Sequence, residues 1–579
     1  RMPGYMEAVQ PDLSVKEDVN DGYRTGFRLA VKASPNEQLT FTPRIVYQTI
    51  EMDGWNRIDD FNILGNPYTT TRPAVTLGER RQYTQLEEEF SDDFLLADFN
   101  LNYTFGRFGL TSITSYTDRD VLVVRDATSL TASITGGTIG LAESVYTLDA
   151  PLLDATTAKT WTQEVRFSQA QGRFPWVAGV FYSRQDRDYN QDLPVRGFED
   201  QTGIPTAGLR APKDSLFWSE LGYKLNQFGL FGEGTFTMNN GLAFTAGLRF
   251  YHFSEDKTQV FDGIFAHDNT GQSVVSQPGS ADASGFAPRF IATYKLSGNA
   301  NVNAQISRGF RLGGINDPLN LPLCTPEDLA TFGGRDAWTD ESLWNYEVGY
   351  KARVMNGNGA FNVSAYYADI DDLQATVTAG SCSSRVIFNV PSARSAGVEL
   401  EFEASPNRNF DFAISGSFND PELRSTLSSQ GAVVSGIEAG RRLPSVPQVQ
   451  LAAAATYQWE VRQAAFAYLV GTYQHTGTRY TQVGDEDLGT LDLLSFGANT
   501  IGGPLTQNTF TYDPEMPAYD ILNMRAGFRR GMWDLSVFLN NVTDERALLS
   551  LDRERGTRAR IGYLTNQPRT FGASYRFTF

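Results

Sequence analysis

The chain has 579 residues but only two cysteines and three histidines. Two cysteines are too few for a disulfide scaffold, and without a Cys-x-x-Cys pair there is no zinc or dithiol-redox motif. His252, His267 and His475 are too scattered to form a ligand set. Long apolar runs are also missing: no stretch reaches the roughly 18 residues that a membrane-crossing helix needs. Positive charge is scarce, and a formal net charge of −18 excludes a general nucleic-acid binder. No Ser/His/Asp set or phosphate-cradling glycine loop stands out, so no catalytic, cofactor-binding or metal-ligating residue is assigned. The acidic clusters Asp369, Asp371, Asp372 and 484–492 lack calcium-loop spacing and read as solvated charge. No secretion signal leads the chain, so any targeting segment is expected upstream of Arg1 or already removed.

What is plentiful is glycine (53), tyrosine (25) and phenylalanine (39), arranged with a period of two. Leu242, Phe244, Ala246, Leu248 and Phe250 share one face of a strand. Val398, Leu400, Phe402 and Ala404 oppose Glu399, Glu401 and Glu403. Trp533, Leu535, Val537 and Leu539 oppose Asp534 and Ser536. The chain ends the same way, with Phe571, Ala573, Tyr575, Phe577 and Phe579 on one side. A soluble sandwich also alternates, but two features favour a transmembrane barrel. The segments run to about ten residues or more, the length of a tilted strand in a bilayer. The connections alternate between short turns, such as 105–108, 238–241 and 529–532, and long polar loops, such as 52–82, 189–214, 314–340, 481–516 and 545–567.

The pattern predicts an all-β, antiparallel transmembrane barrel domain over 1–579, with nineteen strands. They are expected near 22–33, 39–50, 92–104, 109–123, 160–170, 176–188, 224–237, 242–254, 284–296, 302–313, 341–354, 360–375, 390–404, 410–422, 446–459, 464–479, 518–529, 533–543 and 569–579. Single-chain bacterial barrels have an even number, so an odd number of strands is expected upstream of Arg1. The last strand is expected to close the barrel with Phe579 at the periplasmic interface.

Five stretches resemble the barrel of TonB-dependent outer-membrane receptors: 160–189, 228–257, 286–316 with its SRGFRLGGIN segment, 518–546 with NNVTDE, and the closing 568–579. The resemblance implies a 22-stranded barrel in the outer membrane of a Gram-negative bacterium. It also implies an upstream plug domain, with three further strands before Arg1. The activity it implies is import of a scarce, bulky small molecule, not catalysis. Ferric siderophore is the common case, and vitamin or oligosaccharide are alternatives. The partners are TonB with its inner-membrane energising complex, and outer-membrane lipid and lipopolysaccharide. A passive channel or a component of a larger outer-membrane assembly are the competing readings.

On that plan Glu399, Glu401, Glu403, Arg249, Arg308, Arg525 and Arg576 are expected to face the lumen and the plug. Trp55, Tyr68, Trp338 and Tyr480 are loop aromatics suited to a planar chelate or a sugar ring. Arg553, Glu554, Arg555, Arg558 and Arg560 read as a surface or lipopolysaccharide-facing patch. Cys324 and Cys382 fall in adjacent external loops and are expected to form a disulfide, since that compartment is oxidising.

Overall fold

A computed structural model describes the chain apart from residues 66–67, 70–72, 74, 267–274, 487–488, 496, 555–557 and 579. His267, Arg555 and Phe579 therefore lie outside the described residues. Nineteen strands form one continuous antiparallel barrel wall. They are β1 (Gly22–Ala30), β2 (Leu39–Met52), β3 (Phe90–Phe105), β4 (Phe108–Asp126), β5 (Pro151–Gln169), β6 (Trp176–Pro194), β7 (Ser215–Thr237), β8 (Leu242–Asp262), β9 (Gly279–Lys295) and β10 (Ala300–Arg311). The wall continues with β11 (Glu341–Val354), β12 (Gly359–Thr378), β13 (Arg385–Asn407), β14 (Phe410–Leu423), β15 (Val449–Arg462), β16 (Ala465–Thr476), β17 (Tyr519–Arg530), β18 (Trp533–Asn540) and β19 (Thr570–Phe577). Each pairs with its neighbours in chain order.

The two-residue turns use the backbone freedom of glycine. Phe105 pairs with Phe108 across Gly106 (φ 59°), and Arg530 with Trp533 across Gly531 (φ 55°). All such tight turns lie at one rim, and all long connections lie at the other.

The alternation decides which way the wall faces. Phe244 and Leu248, Val398 and Leu400, and Trp533, Leu535 and Val537 are all exposed. In a soluble sandwich that apolar stripe would be the core. Here it is the outer surface, as lipid requires. The polar parity faces inward, where Arg44 meets Asp98 at 2.6 Å and Arg289 meets Glu233 at 3.4 Å.

The hydrophobic core sits in the long loops instead. Val9, Phe61, Ile63, Leu493, Ile501, Phe510, Leu551 and Ile561 unite three connections and the segment before β1 in one cluster. Val377, Val386, Phe388, Leu423 and Ile437 unite others around Cys382. These loops were expected to be polar and irregular. They instead hold short helices, such as α1 (Thr128–Thr135), α2 (Glu143–Tyr146), α3 (Phe198–Thr202) and α4 (Pro326–Phe332), together with small sheets. Several wall strands also run past the membrane into this cap. β7 spans 23 residues, about twice a bilayer crossing, so it begins at Ser215 and not near 224.

β1 and β19 run in the same sense, and no ladder joins them among the described residues. Above that seam a three-stranded sheet of Arg57–Asn62, Arg560–Thr565 and Leu548–Glu554 ties the β2–β3 loop to the β18–β19 loop.

Candidate functional site

The long-loop rim encloses a cavity of about 360 Å³. Strand tops from β4 to β8 supply Arg125, Tyr189, Phe217 and Phe261 on one side. The opposite side is Asp317 and Leu323 from the β10–β11 loop, Arg385 at the start of β13, and Arg553 and Glu554 from the β18–β19 loop. The cavity therefore spans the mouth of the barrel.

Its charges are held from behind. Arg125 donates to Asp154 through Nε at 3.0 Å and Nη2 at 2.6 Å. The Tyr189 hydroxyl donates to the same carboxylate at 3.0 Å. Arg553 bonds Asp485 at 2.7 Å and Gln482 at 2.6 Å. Asp317 receives the buried Lys257 ammonium at 2.6 Å. Glu554 accepts from Arg560 at 2.6 Å, and burial pushes its carboxyl up to about 7. Asp552, beside Arg560 and Arg57, is held below the usual carboxylate range.

Within this charged group, Arg560 and Glu554 are therefore no surface patch. Arg560 and Glu554 are buried within the rim sheet, against Arg57 and Asp59. Alternating charges on neighbouring strands compensate one another's desolvation there, a long-range arrangement that local composition does not reveal.

The loop aromatics occupy other places. Trp55 packs edge-on against Phe90. Tyr68 lies on Phe510 in the loop core. Trp338 pairs with Gly314, where any Cβ would strike its ring. Tyr480 carries the Arg442 guanidinium over its face at 5.3 Å. None of the four lines the rim cavity; its rings are Tyr189, Phe217, Phe261 and Phe265. Tyr189 and Phe217 gave no sequence signal, because their strands outrun the bilayer and their partners come from distant loops.

Lower down, Glu401 and Glu403 line a concavity of about 530 Å³ on the wall with Asn362, Ser415 and Gln474. Glu399 shares their parity, opposite Ser417 and Ser364. Arg249 lies over Phe181 and Phe231 at 5.6 and 5.9 Å, and Arg525 over Phe538 at 5.4 Å. Arg576 stands across from Asp534. Arg308 pairs with Trp344, on the parity of Ile306 and Tyr346, two residues before Phe310 stacks on Tyr251. Cys324 and Cys382 are joined by a disulfide with Cα atoms 4.1 Å apart, tying the β10–β11 loop to the β12–β13 loop.

An outward apolar belt, a polar interior and a folded cap over one mouth define a transmembrane β-barrel receptor of the outer-membrane type. The chain belongs to the TonB-dependent receptor family: the model described as TonB dependent receptor-like, beta-barrel matches residues 34–542. Its fold is similar to that of the ferric yersiniabactin uptake receptor FyuA of Yersinia pestis, with a TM-score of 0.71 at 14% identity over 100% of this chain and 73% of that one. The closed form of the ferric-catecholate import receptor Fiu of E. coli K12 aligns with a TM-score of 0.67 at 12% identity, covering 99% of this chain and 76% of that one. The copper transporter OprC aligns with a TM-score of 0.63 at 13% identity, covering 100% and 74%. These identities carry the fold alone. The family consists of outer-membrane transporters, not enzymes.

Proposed function

We propose that this barrel imports a scarce, bulky small molecule across the outer membrane, and that the molecule is a ferric siderophore. The substrate enters at the long-loop rim, and TonB, acting on a plug within the lumen, drives it through. The observation that carries the reading is the mixed-charge, aromatic cavity of about 360 Å³ across the barrel mouth, within the range of small-molecule sites. Siderophore import by FyuA and Fiu supports the substrate class, and OprC keeps a metal complex of another kind in view.

Plug and three further strands precede Arg1 in this reading. The parallel sense of β1 and β19 supports it, because all-antiparallel closure needs an odd number of strands between them. The test is uptake of radiolabelled ferric siderophores by iron-limited cells with and without the gene, and with and without TonB. Uptake that needs both supports the proposal. Uptake that persists without TonB makes the chain a passive channel, and uptake unchanged by deletion of the gene removes siderophores as its substrate.

A further inference from the structure

We propose that the rim cavity is built for an amphoteric ligand, with an anionic group for Arg385 and a donor or cationic group for Glu554 on a flat apolar body. The inference rests on the importer reading and names its substrate more narrowly.

It follows from which polar groups in the wall remain uncommitted. Arg125, Arg553 and Asp317 are each paired with an opposite charge behind the wall. Arg385 is exposed, and its side chain makes no hydrogen bond or close ion pair among the described residues; Asp552 is the acid its charge acts on, at longer range. Glu554 is the opposite case, a side chain only 8% exposed. Its Oε1 takes the Arg560 hydrogen bond, while Oε2 is buried with no partner. A buried carboxylate oxygen left unbonded is a costly arrangement that a ligand N–H would relieve. The same cavity wall carries an apolar set, Phe217, Phe261, Phe265 and Leu130. A polyanion would satisfy Arg385 but set charge against Glu554 and Asp317. A molecule with both an acid and an amine on an aromatic frame satisfies both ends.

The probe is phenylalanyl-phenylalanine, titrated into the full-length receptor in detergent beside its C-terminal amide and its N-acetyl derivative. The zwitterion is expected to bind at least about tenfold more tightly than either, as one lost charge-assisted hydrogen bond predicts. Arg385→Gln is expected to erase the preference for a free carboxylate, and Glu554→Gln the preference for a free amine. The ligand series reads the same contrast on the unmutated protein, so misfolding of a variant does not mask it. Equal binding of the three, tightest binding of the N-acetyl anion, or no binding at millimolar concentration overturns the inference. TonB-dependent uptake of a ferric siderophore together with such a failure would leave the importer reading intact and remove only this one.

Discussion

The membrane belt and the loop cap are built from the same chain by opposite rules. In the belt, side chains such as Leu248 and Val537 face outward, and charge is kept on the inner face. In the cap, Phe61, Ile63 and Leu493 are fully buried, and even charged groups such as Arg57, Asp59 and Arg560 are enclosed. The belt is held by a ladder of backbone hydrogen bonds that any alternating sequence can make. The cap is held by specific side-chain packing between loops far apart in sequence, so single substitutions should open it while the belt remains intact.

The largest effect is expected at the rim sheet. Arg560→Ala removes the cation between Glu554 and Asp552 and leaves the buried Glu554 carboxyl without its hydrogen-bonded partner, at a cost of about 3–5 kcal/mol. Limited proteolysis should then cut within 545–567, while the barrel keeps its heat-modifiable migration on a gel. Loss of the folded barrel band would show that cap and belt form one cooperative unit. The reverse substitution comes next. Leu248→Arg puts a charge on the lipid face and should cost about 2–4 kcal/mol of barrel stability in a bilayer, with the cap's protease resistance unchanged until the barrel unfolds.

The disulfide is a weaker clamp than its sequence separation of 58 implies. Chain entropy alone would assign it about 4 kcal/mol. The hairpin of β11 and β12 already holds the two loops together, so most of that loop is closed before the sulfurs meet. Cys324→Ser is expected to lower thermal stability by well under that figure and to raise hydrogen exchange only near α4 and 379–384. A loss of the whole cap would refute this.

The belt was far more legible in the sequence than the cap. A strand with one face in lipid and one in water must alternate, so β11 (Glu341–Val354) is found at its expected 341–354. Legibility ended where the strands left the bilayer. The first nine residues of β7 lie among cap elements on both sides, alternate less cleanly, and read as loop. Arg560 and Glu554 were misread because the sequence around them says nothing of Arg57 and Asp59, about five hundred positions away, of which Arg57 offsets the charge of Glu554 and Asp59 that of Arg560. Arg385, in the cavity wall, had no motif at all; it is distinguished only by a side chain that makes no hydrogen bond or close ion pair among the described residues. The aromatics Tyr68 and Trp338 were visible as rings in loops, but composition cannot tell a ring packed in a loop core from one presented to solvent.

The smallest effects come from pH, and within the cap two carboxyls act in opposite directions. Glu554 is raised from an ordinary 4.5 to about 7. Between those values the unfolded chain gives up a proton that the folded cap retains, so cap stability falls as pH rises through 4.5 to 7 and is level above that. Glu199 is lowered from 4.5 to about 2, because the Thr206 hydroxyl and the backbone amides of Thr206 and Ala207 donate to it. Its contribution is fully present above 4.5 and is lost as pH falls toward 2. Hydrogen exchange resolves the two by place. Amides of Leu548–Glu554 should exchange relatively faster at pH 7.5 than at pH 5, after correction for intrinsic rates, and Glu554→Gln should flatten that slope. The amides of Thr206 and Ala207 should lose protection only on acidification, and Glu199→Gln should remove the acid-dependent part. Glu199 is largely hydrated, so its loss should loosen the turn after α3 without opening the cap. If both regions titrated together, the cap would be a single cooperative body, and the contrast with the belt would lie between two units, not between a rigid wall and separable loops.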